Sequence, residues 1–327
     1  MILVTGGAGF IGSNIVADLT AAGREVVVCD RLGTDDKWRN LARHDVRDVI
    51  RPEALFGFLA REGSALEAVV HMGAISATTE RDADLIVENN LRLSIDLWSW
   101  CTAHGKRLIY ASSGATYGDG SMGFDDEGTS EALARLLPLN PYGWSKHAFD
   151  RRVVRDVEAG RPAPPQWAGL KFFNVYGPNE YHKGLMRSVI AHMVPDIKAK
   201  GYVTLFKSHR PDYADGGQLR DFVSVADVSR VVAWLLKTPS VSGLFNVGTG
   251  HARTFADLAK ATFAALNRKV DIHYRDMPDE LRGRYQYFTQ ARMERLREAG
   301  YQEPFLSLED GVADYVRGYL DKDDPYR

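Results

Sequence analysis

The sequence predicts an α/β fold: a doubly wound parallel sheet with a smaller, mixed α/β domain. Three observations predict it. Short, β-branched apolar runs alternate with helical patterns through the first half of the 327 residues. Those runs are apolar almost throughout, as strands covered by helices on both faces require. The first of them leads straight into a glycine-rich turn and a helix, TGGAGFIG.

Each element has its own local reason. ILVTG (2–6) is the first strand. FIGSNIVADLTAAG (10–23) is a helix, because Ile11, Ile15, Val16 and Leu19 form one apolar face and Gly23 closes it. EVVVCD (25–30), AVVHMG (68–73) and RLIYASS (107–113) are further strands, with a helix over 85–104 between the last two. A helix over 142–159 ends before the turn GRPAPP, and WAGLKFFNV (167–175) is again a strand. Beyond it the regularity drops. LFKSHRPDYADGGQLRDFV (205–223), broken by a Pro and a Gly-Gly, reads as a long excursion. FVSVADVSRVVAWLLK (222–237) is a strand end and a helix, and GLFNVGTG (243–250) a strand and turn. Helices are expected over 254–267 and 289–299.

Charge and composition exclude several classes. With 41 basic and 43 acidic residues the net charge is −2, which leaves no broad field for nucleic acid. No run reaches the roughly 18 apolar residues of a membrane span. The start reads as a strand rather than a secretory signal. Cys29 and Cys101 are too few for a disulfide scaffold or a thiolate metal site. The nine histidines form no HxxH or HExxH pair, so there is no case for a metal. A reducing cytoplasm is the plain expectation.

Gly6, Gly9 and Gly12 stand at three-residue spacing between a strand and a helix. Small residues there let the backbone turn tightly and approach a pyrophosphate, whose charge meets the helix start. This makes the sheet Rossmann-type. Asp30, at the end of the second strand, favours the free ribose hydroxyls of NAD, whereas Arg31 and Lys37 suit the 2′-phosphate of NADP. Either cation also reads as solvated surface. NADP is the expected cofactor, with NAD as the alternative.

Ser112 and Ser113 lie just past a strand end, where open α/β sheets present groups to ligands. In YGWSK, Tyr142 and Lys146 are four apart and share one helix face. A neighbouring ammonium lowers a phenol's pKa, so Tyr142 is expected to exchange a proton with an alcohol while Ser113 holds the same oxygen. A Tyr–Lys pair alone is common on surfaces. Its company here, the glycine turn and the serine-bearing strand end, makes it chemical.

These motifs, with HMGA (71–74), ENN (88–90), FFNVYGP (172–178), LRDFVSVADV (219–228) and FNVGTG (245–250), resemble the extended short-chain dehydrogenase/reductase family. That family includes the nucleotide-sugar epimerases and dehydratases. The resemblance covers nearly the whole chain. It implies a bound nicotinamide, a Ser113–Tyr142–Lys146 site and a nucleotide-sugar substrate. It also implies that Phe10, Ile11, Met72, Gly73, Ala74, Asn89 and Val175 line the cofactor. The cofactor contacts implied include Tyr142 and Lys146. The division implied is an NADP-binding domain, 1–172 plus 219–250, and a substrate-binding domain, 173–218 plus 251–327.

Within the family, NVYGPNEYHKG, LMRSVIAHM and LRGRYQYFTQARMERLREAGY (281–301) resemble the branch that epimerises an ADP-linked heptose at C6″. Two departures stand out. KSHRPDYADGGQL is longer than expected, and Pro52 stands where a basic cofactor contact is usual, with Arg51 beside it as a substitute. The alternatives in the same fold are a UDP-sugar 4-epimerase and a 4,6-dehydratase; the dehydratase would carry Asp-Glu after the serine, but Gly114–Ala115 follows Ser113. A non-catalytic dinucleotide-binding regulator would be expected to lose Tyr142 or Lys146.

An epimerase working through a ketone presents both sugar faces to one fixed nicotinamide, so a second proton-transfer group on another wall meets the geometry. Lys183 is the candidate, and the resemblance implies the same. Alternatively it pairs with the substrate diphosphate or with Glu180. Other expected substrate contacts are Asn174, His192 (equally a core histidine), Phe206, Arg220, Arg284 and Tyr285. The two arginines suit the diphosphate because guanidinium matches phosphate oxygens bidentately. Asp221 is expected to orient Arg220 by an ion pair. Leu91, Leu93, Leu97, Trp98 and Trp100 make the 85–104 helix more apolar than one covered face requires. That helix can serve a subunit contact, so a homo-oligomer is expected, and the resemblance implies a pentamer or larger ring rather than a dimer.

Overall fold

The computed structural model describes residues 1–282 and 286–327. It opens with β1 (Ile2–Thr5), α1 (Phe10–Ala21), β2 (Val26–Cys29), β3 (Asp48–Ile50), α2 (Leu55–Glu62) and β4 (Ala68–His71). Next come α3 (Ala83–Ile86), α4 (Leu93–Ala103), β5 (Arg107–Ser113), α5 (Ser130–Ala134), α6 (Pro141–Glu158) and β6 (Trp167–Phe172). The chain continues through β7 (Asn174–Tyr176), α7 (Val189–Lys200), β8 (Val203–Phe206), β9 (Leu219–Ser224) and α8 (Val225–Lys237). The remaining elements are β10 (Gly243–Val247), β11 (Ala252–Thr254), α9 (Phe255–Ala265), β12 (Ile272–Arg275), α10 (Asp279–Arg282), α11 (Glu294–Glu298) and α12 (Leu308–Tyr315).

Seven strands form one parallel sheet in the order β3-β2-β1-β4-β5-β6-β10. Successive side chains on a strand point to opposite faces. Ile2, Val4, Val26, Val28 and Val70 accordingly pack with Ile15, Val16 and Leu19 of α1 and Val228, Val231 and Leu235 of α8. Leu3, Val27 and Val69 pack on the other side with Phe58 of α2, Leu97 and Trp98 of α4, and Phe149 and Val153 of α6. Both faces are covered, which is why the strand sequences carry no polar alternation. Smaller sheets, β11-β9-β7 and β12-β8, are built from segments between β6 and β10 and from those after β10.

Several elements differ from the sequence reading. The 85–104 helix is interrupted, α3 and α4 being joined by π-helical turns over Val87–Arg92. Leu97 and Trp98, read as surplus apolar surface, are buried in the core. WAGLKFFNV is two strands, because the chain leaves the main sheet at Phe173 and Asn174 pairs instead with Phe222 of β9. The helix expected over 289–299 shrinks to α11. Its first residues stay extended because their backbone serves neighbours: Ala291 N donates to Asp221 at 3.0 Å and Arg292 O accepts from Asn246 at 3.0 Å. Among the described residues no helix is long and apolar enough to cross a membrane.

Candidate active site

Strand register brings the chemistry to one edge. Thr5 stands beside both Cys29 and His71, and Ser113 beside Phe172. The residues that follow these strand ends therefore emerge together, at the point where strand order reverses between β1 and β4. They line a cleft of about 690 Å³.

The glycine turn is determined sterically. Gly6 has φ +65°, and a Cβ on it would lie 2.6 Å from Gly73 N. A Cβ on Gly12 would lie 2.1 Å from the Gly6 carbonyl oxygen, so α1 could not sit down on the turn. Gly9 caps α1 with no side-chain hydrogen bond, and the first turn carries no acidic residue. An uncapped helix start without a competing carboxylate suits an anionic pyrophosphate.

At the end of β2, Asp30 Oδ2 accepts from Ala8 N at 2.9 Å, and Oδ1 accepts from Lys37 Nζ at 2.7 Å. Arg31 is paired with Glu53. Both cations that suggested a 2′-phosphate are thus held by carboxylates. Pro52 lines the cleft, whereas the exposed Arg51 is not among its lining residues.

Alternation along β5 separates the two serines. Ser112 Oγ donates to the buried Asp150 at 2.6 Å, while Ser113 Oγ accepts from Ala115 N at 3.1 Å and bonds the Tyr142 phenol. Asn140 caps α6 by accepting from Gly143 N at 2.8 Å, with Pro141 in the first turn. Tyr142 and Lys146 follow on one face, both lining the cleft. Burial pushes the Tyr142 phenol up and the Ser113 hydrogen bond partly offsets this. This corrects the expectation that the neighbouring lysine governs it. Burial also brings the Lys146 ammonium down to about 8, against the opposing charge of Asp150 one turn on.

Lys183 lines the same cleft from the segment that follows β7. Its loop is fastened to α1: Asn14 Nδ2 donates to Pro178 O at 2.9 Å, and Asn179 Nδ2 to Ser13 Oγ at 3.1 Å. Burial lowers the Lys183 ammonium, with Glu180 opposing. Glu180 is itself occupied: its carboxylate accepts from Ser188 Oγ at 2.6 Å and Tyr315 Oη at 2.9 Å. The Lys183 Nζ lies 5.4 Å from the Phe10 ring centroid.

Gly6, Gly9, Phe10, Ile11, Gly12, Asp30, Arg31, Lys37, Met72, Gly73, Ala74, Asn89, Ser113, Tyr142, Lys146, Asn174, Val175 and Lys183 all line this one cleft. His192, Phe206 and Arg220 do not. His192 lies on α7, Phe206 ends β8 with the Arg275 guanidinium 5.0 Å from its ring centroid, and Arg220 donates to Leu219 O at 2.8 Å and to Gln286 O. Asp221 does not orient Arg220 by an ion pair. It accepts instead from the amides of Thr249, Gly250 and Ala291 and from the Thr249 hydroxyl. Arg284 and Tyr285 lie outside the described residues. Two residues went unread in the sequence. Asn90 is buried and clamps Ile75 at both its amide and carbonyl, at 2.8 and 3.0 Å, which fixes the strand end beside Asn89. Arg187 lines the cleft four residues after Lys183; its spacing was the available signal.

The sequence pattern of the NAD dependent epimerase/dehydratase family matches residues 2–248. The chain belongs to that family. This member is 53% identical, over the whole of both chains, to an ADP-L-glycero-D-manno-heptose-6-epimerase of Nitratidesulfovibrio vulgaris. Among solved structures it resembles the ADP-L-glycero-D-manno-heptose-6-epimerase of Helicobacter pylori, at 27% identity and a TM-score of 0.77, with 97% of this chain and 95% of that one covered. It also resembles the UDP-glucose 4-epimerase of Thermus thermophilus in complex with NAD, at 28% identity and a TM-score of 0.71, covering 97% and 99%. That solved relative holds NAD, and the expectation of NADP is overturned. The ion pairs agree with that correction: Lys37 is paired with Asp30 at the end of β2, and Arg31 faces Glu53.

Proposed function

We infer that the chain epimerises ADP-D-glycero-β-D-manno-heptose at C6″ to the L-glycero form, with NAD as its cofactor. The observation that carries this is one cleft with Ser113, Tyr142 and Lys146 on one wall and Lys183 on another, in a chain 53% identical to a heptose epimerase. Gly6, Gly9, Gly12 and the start of α1 would hold the pyrophosphate, and Asp30 the adenosine ribose. NAD, when bound, supplies the hydride acceptor and donor that take an alcohol to a ketone and back without net redox change.

Tyr142 holds and returns the proton of the C6″ oxygen, and Ser113 fixes that oxygen by a hydrogen bond. Lys146, on the same face of α6 as Tyr142, contacts the cofactor from the cleft wall. Lys183 handles the proton when the sugar presents its other face. Burial lowers its ammonium from the usual value, the direction that suits a group giving up a proton. Asn174 and Arg187 are the polar side chains best placed to hold the sugar and its diphosphate.

Residues 1–172 with 219–250 act as the cofactor-binding part, and 173–218 with 251–327 as the substrate-binding part. Exposed Leu85 and Trp144, on the touching helices α3 and α6, offer apolar surface to a second subunit of a homo-oligomer; the ring of five or more subunits rests on the family resemblance alone. The two free, buried cysteines suit the reducing cytoplasm.

Incubation with ADP-D-glycero-β-D-manno-heptose, without added reductant, is expected to give the C6″ epimer. Turnover of UDP-glucose at a far higher kcat/KM would assign the chain to the 4-epimerases instead.

A further inference from the structure

Residues 324–327 are fastened to the amino-terminal part of the chain at many points. Asp324 accepts from Arg39 at 3.3 Å and from Arg43 at 2.7 Å. The Arg39 guanidinium lies 4.3 Å from the centroid of the Tyr326 ring. The Arg327 guanidinium bonds Asn14 Oδ1 at 3.1 Å and pairs with Asp18, both on α1. His44 Nε2 meets the Arg327 carbonyl oxygen at 3.2 Å.

The same four residues hold a turn that leads into Lys183. Arg327 N donates to Asn179 Oδ1 at 2.9 Å, and the Tyr181 hydroxyl donates to Pro325 O at 2.8 Å. The Tyr326 ring stands edge-on to Tyr181, with centroids 5.2 Å apart and planes at 82°. Asn179 has φ +71°, a backbone conformation that a non-glycine residue holds only where its surroundings impose it. The surroundings do so here through the side-chain amide: Oδ1 is taken by Arg327 N and Nδ2 by Ser13 Oγ. Lys183 N then donates to Glu180 O at 3.0 Å, and the next residue, Gly184, is again left-handed at φ +55°. Lys183 sits in a short 3₁₀ segment, Tyr181–Met186, kinked at Gly184, and no strand ladder or α-helix positions it. Its place depends on how the Asn179–Tyr181 turn is tied.

We propose that Tyr326 and Arg327 are positioning residues for Lys183, holding the Asn179–Tyr181 turn against α1 so that the lysine meets the substrate from the segment that follows β7. Neither Tyr326 nor Arg327 lines the cleft, so neither acts on substrate or cofactor directly. The proposal rests on the reading of Lys183 as a proton-transfer group. It extends that reading to a segment more than 140 residues away in sequence.

The test compares the full chain, a chain lacking residues 324–327, Lys183→Met, and the two changes combined. Deletion is expected to lower kcat on the order of 10-fold while KM changes less than about 2-fold, an effect on turnover rather than on uniform binding. In the Lys183→Met background the same deletion is expected to change kcat by less than about 2-fold, because the residue through which it acts is gone. Amide hydrogen exchange at Glu180–Lys183 should quicken in the deletion. Equal losses of kcat in both backgrounds, or unchanged exchange at those amides, would overturn the proposal. If Lys183→Met alone keeps wild-type kcat, the base reading of Lys183 fails and with it the catalytic consequence. Exchange at the turn then reports separately on the tie itself. Should the deletion not fold, Tyr326→Ala gives the same readouts, and Tyr326→Phe is expected to restore kcat because the ring is retained.

Discussion

Lys171 on β6 and Asp150 on α6 meet at 3.0 Å with neither side chain exposed to solvent. The pair lies directly behind the reactive residues. Asp150 also accepts from Ser112 at 2.6 Å and from Tyr110 at 3.1 Å, while Lys171 donates to Thr116 at 2.7 Å. Asp150 stands one helical turn beyond Lys146 and opposes the effect of burial on it. The rear wall of the site is thus a fully buried charge pair with its hydrogen bonds made.

Breaking such a pair from one side leaves a buried charge without its partner. Lys171→Met is expected to cost about 3–5 kcal/mol in denaturant unfolding. The double change Lys171→Met with Asp150→Leu removes both charges and should recover part of that loss. A single variant as stable as the wild type would mean that the pair contributes nothing.

Tyr142→Phe removes the phenolic proton and keeps the ring, and Lys183→Met removes the ammonium and keeps most of the stem. Each is expected to lose on the order of 10²-fold or more in kcat. Both should fold and bind NAD, since neither touches the glycine turn. A loss confined to KM in Lys183→Met would mean that the lysine only binds substrate.

Activity and stability should move in opposite directions at alkaline pH. The Lys146 ammonium titrates at about 8 in the folded chain, against a usual value of 10.5. Above about 8 the Lys146 charge on the cleft wall is lost, so kcat/KM should fall. Between about 8 and 10.5 the unfolded chain binds more protons at this residue than the folded one. Its contribution to stability therefore rises with pH across that window and is lost as pH falls through about 8. Parallel pH profiles of kcat/KM and of the unfolding midpoint, for wild type and Lys146→Met, measure both signs. A Lys146→Met midpoint with the wild-type slope in that window would contradict the assignment.

Denaturing the purified protein is expected to release NAD. Asp30→Ala removes the acceptor for Ala8 N and frees Lys37 from its carboxylate. NADP should then gain on NAD by about 10-fold or more, as the ammonium becomes available to a 2′-phosphate. An unchanged preference would place the discrimination elsewhere.

Much of the site was legible because its signals are local. Gly6, Gly9 and Gly12 are demanded by sterics within a dozen residues, and Tyr142 and Lys146 share a face by helix geometry alone. The strands β1, β2, β4 and β5 announced themselves by continuous apolar composition, since both sheet faces are covered. The same local logic failed at Phe173, where nothing in FFNVYG marks the residue at which one sheet is left for another. It failed again over 289–293, whose helical pattern is overridden by the need of Asp221 and Asn246 for backbone partners.

The sequence by itself determined the parallel sheet, the dinucleotide turn and the Ser113–Tyr142–Lys146 set, because periodicity, glycine sterics and helical spacing act between near neighbours. Only the tertiary structure decided what each charge faces. Arg31 and Lys37 looked like phosphate ligands until Glu53 and Asp30 were seen to hold them. Arg220 and Asp221 are adjacent in the chain, yet they take different partners because successive residues of β9 point to opposite sides. Lys183 reaches the cleft through a turn tied by Ser13, Asn14 and Arg327. A side chain's charge is written in the sequence, but its partner is set by whatever folds against it, as Arg327 and Asp18 show across 309 positions.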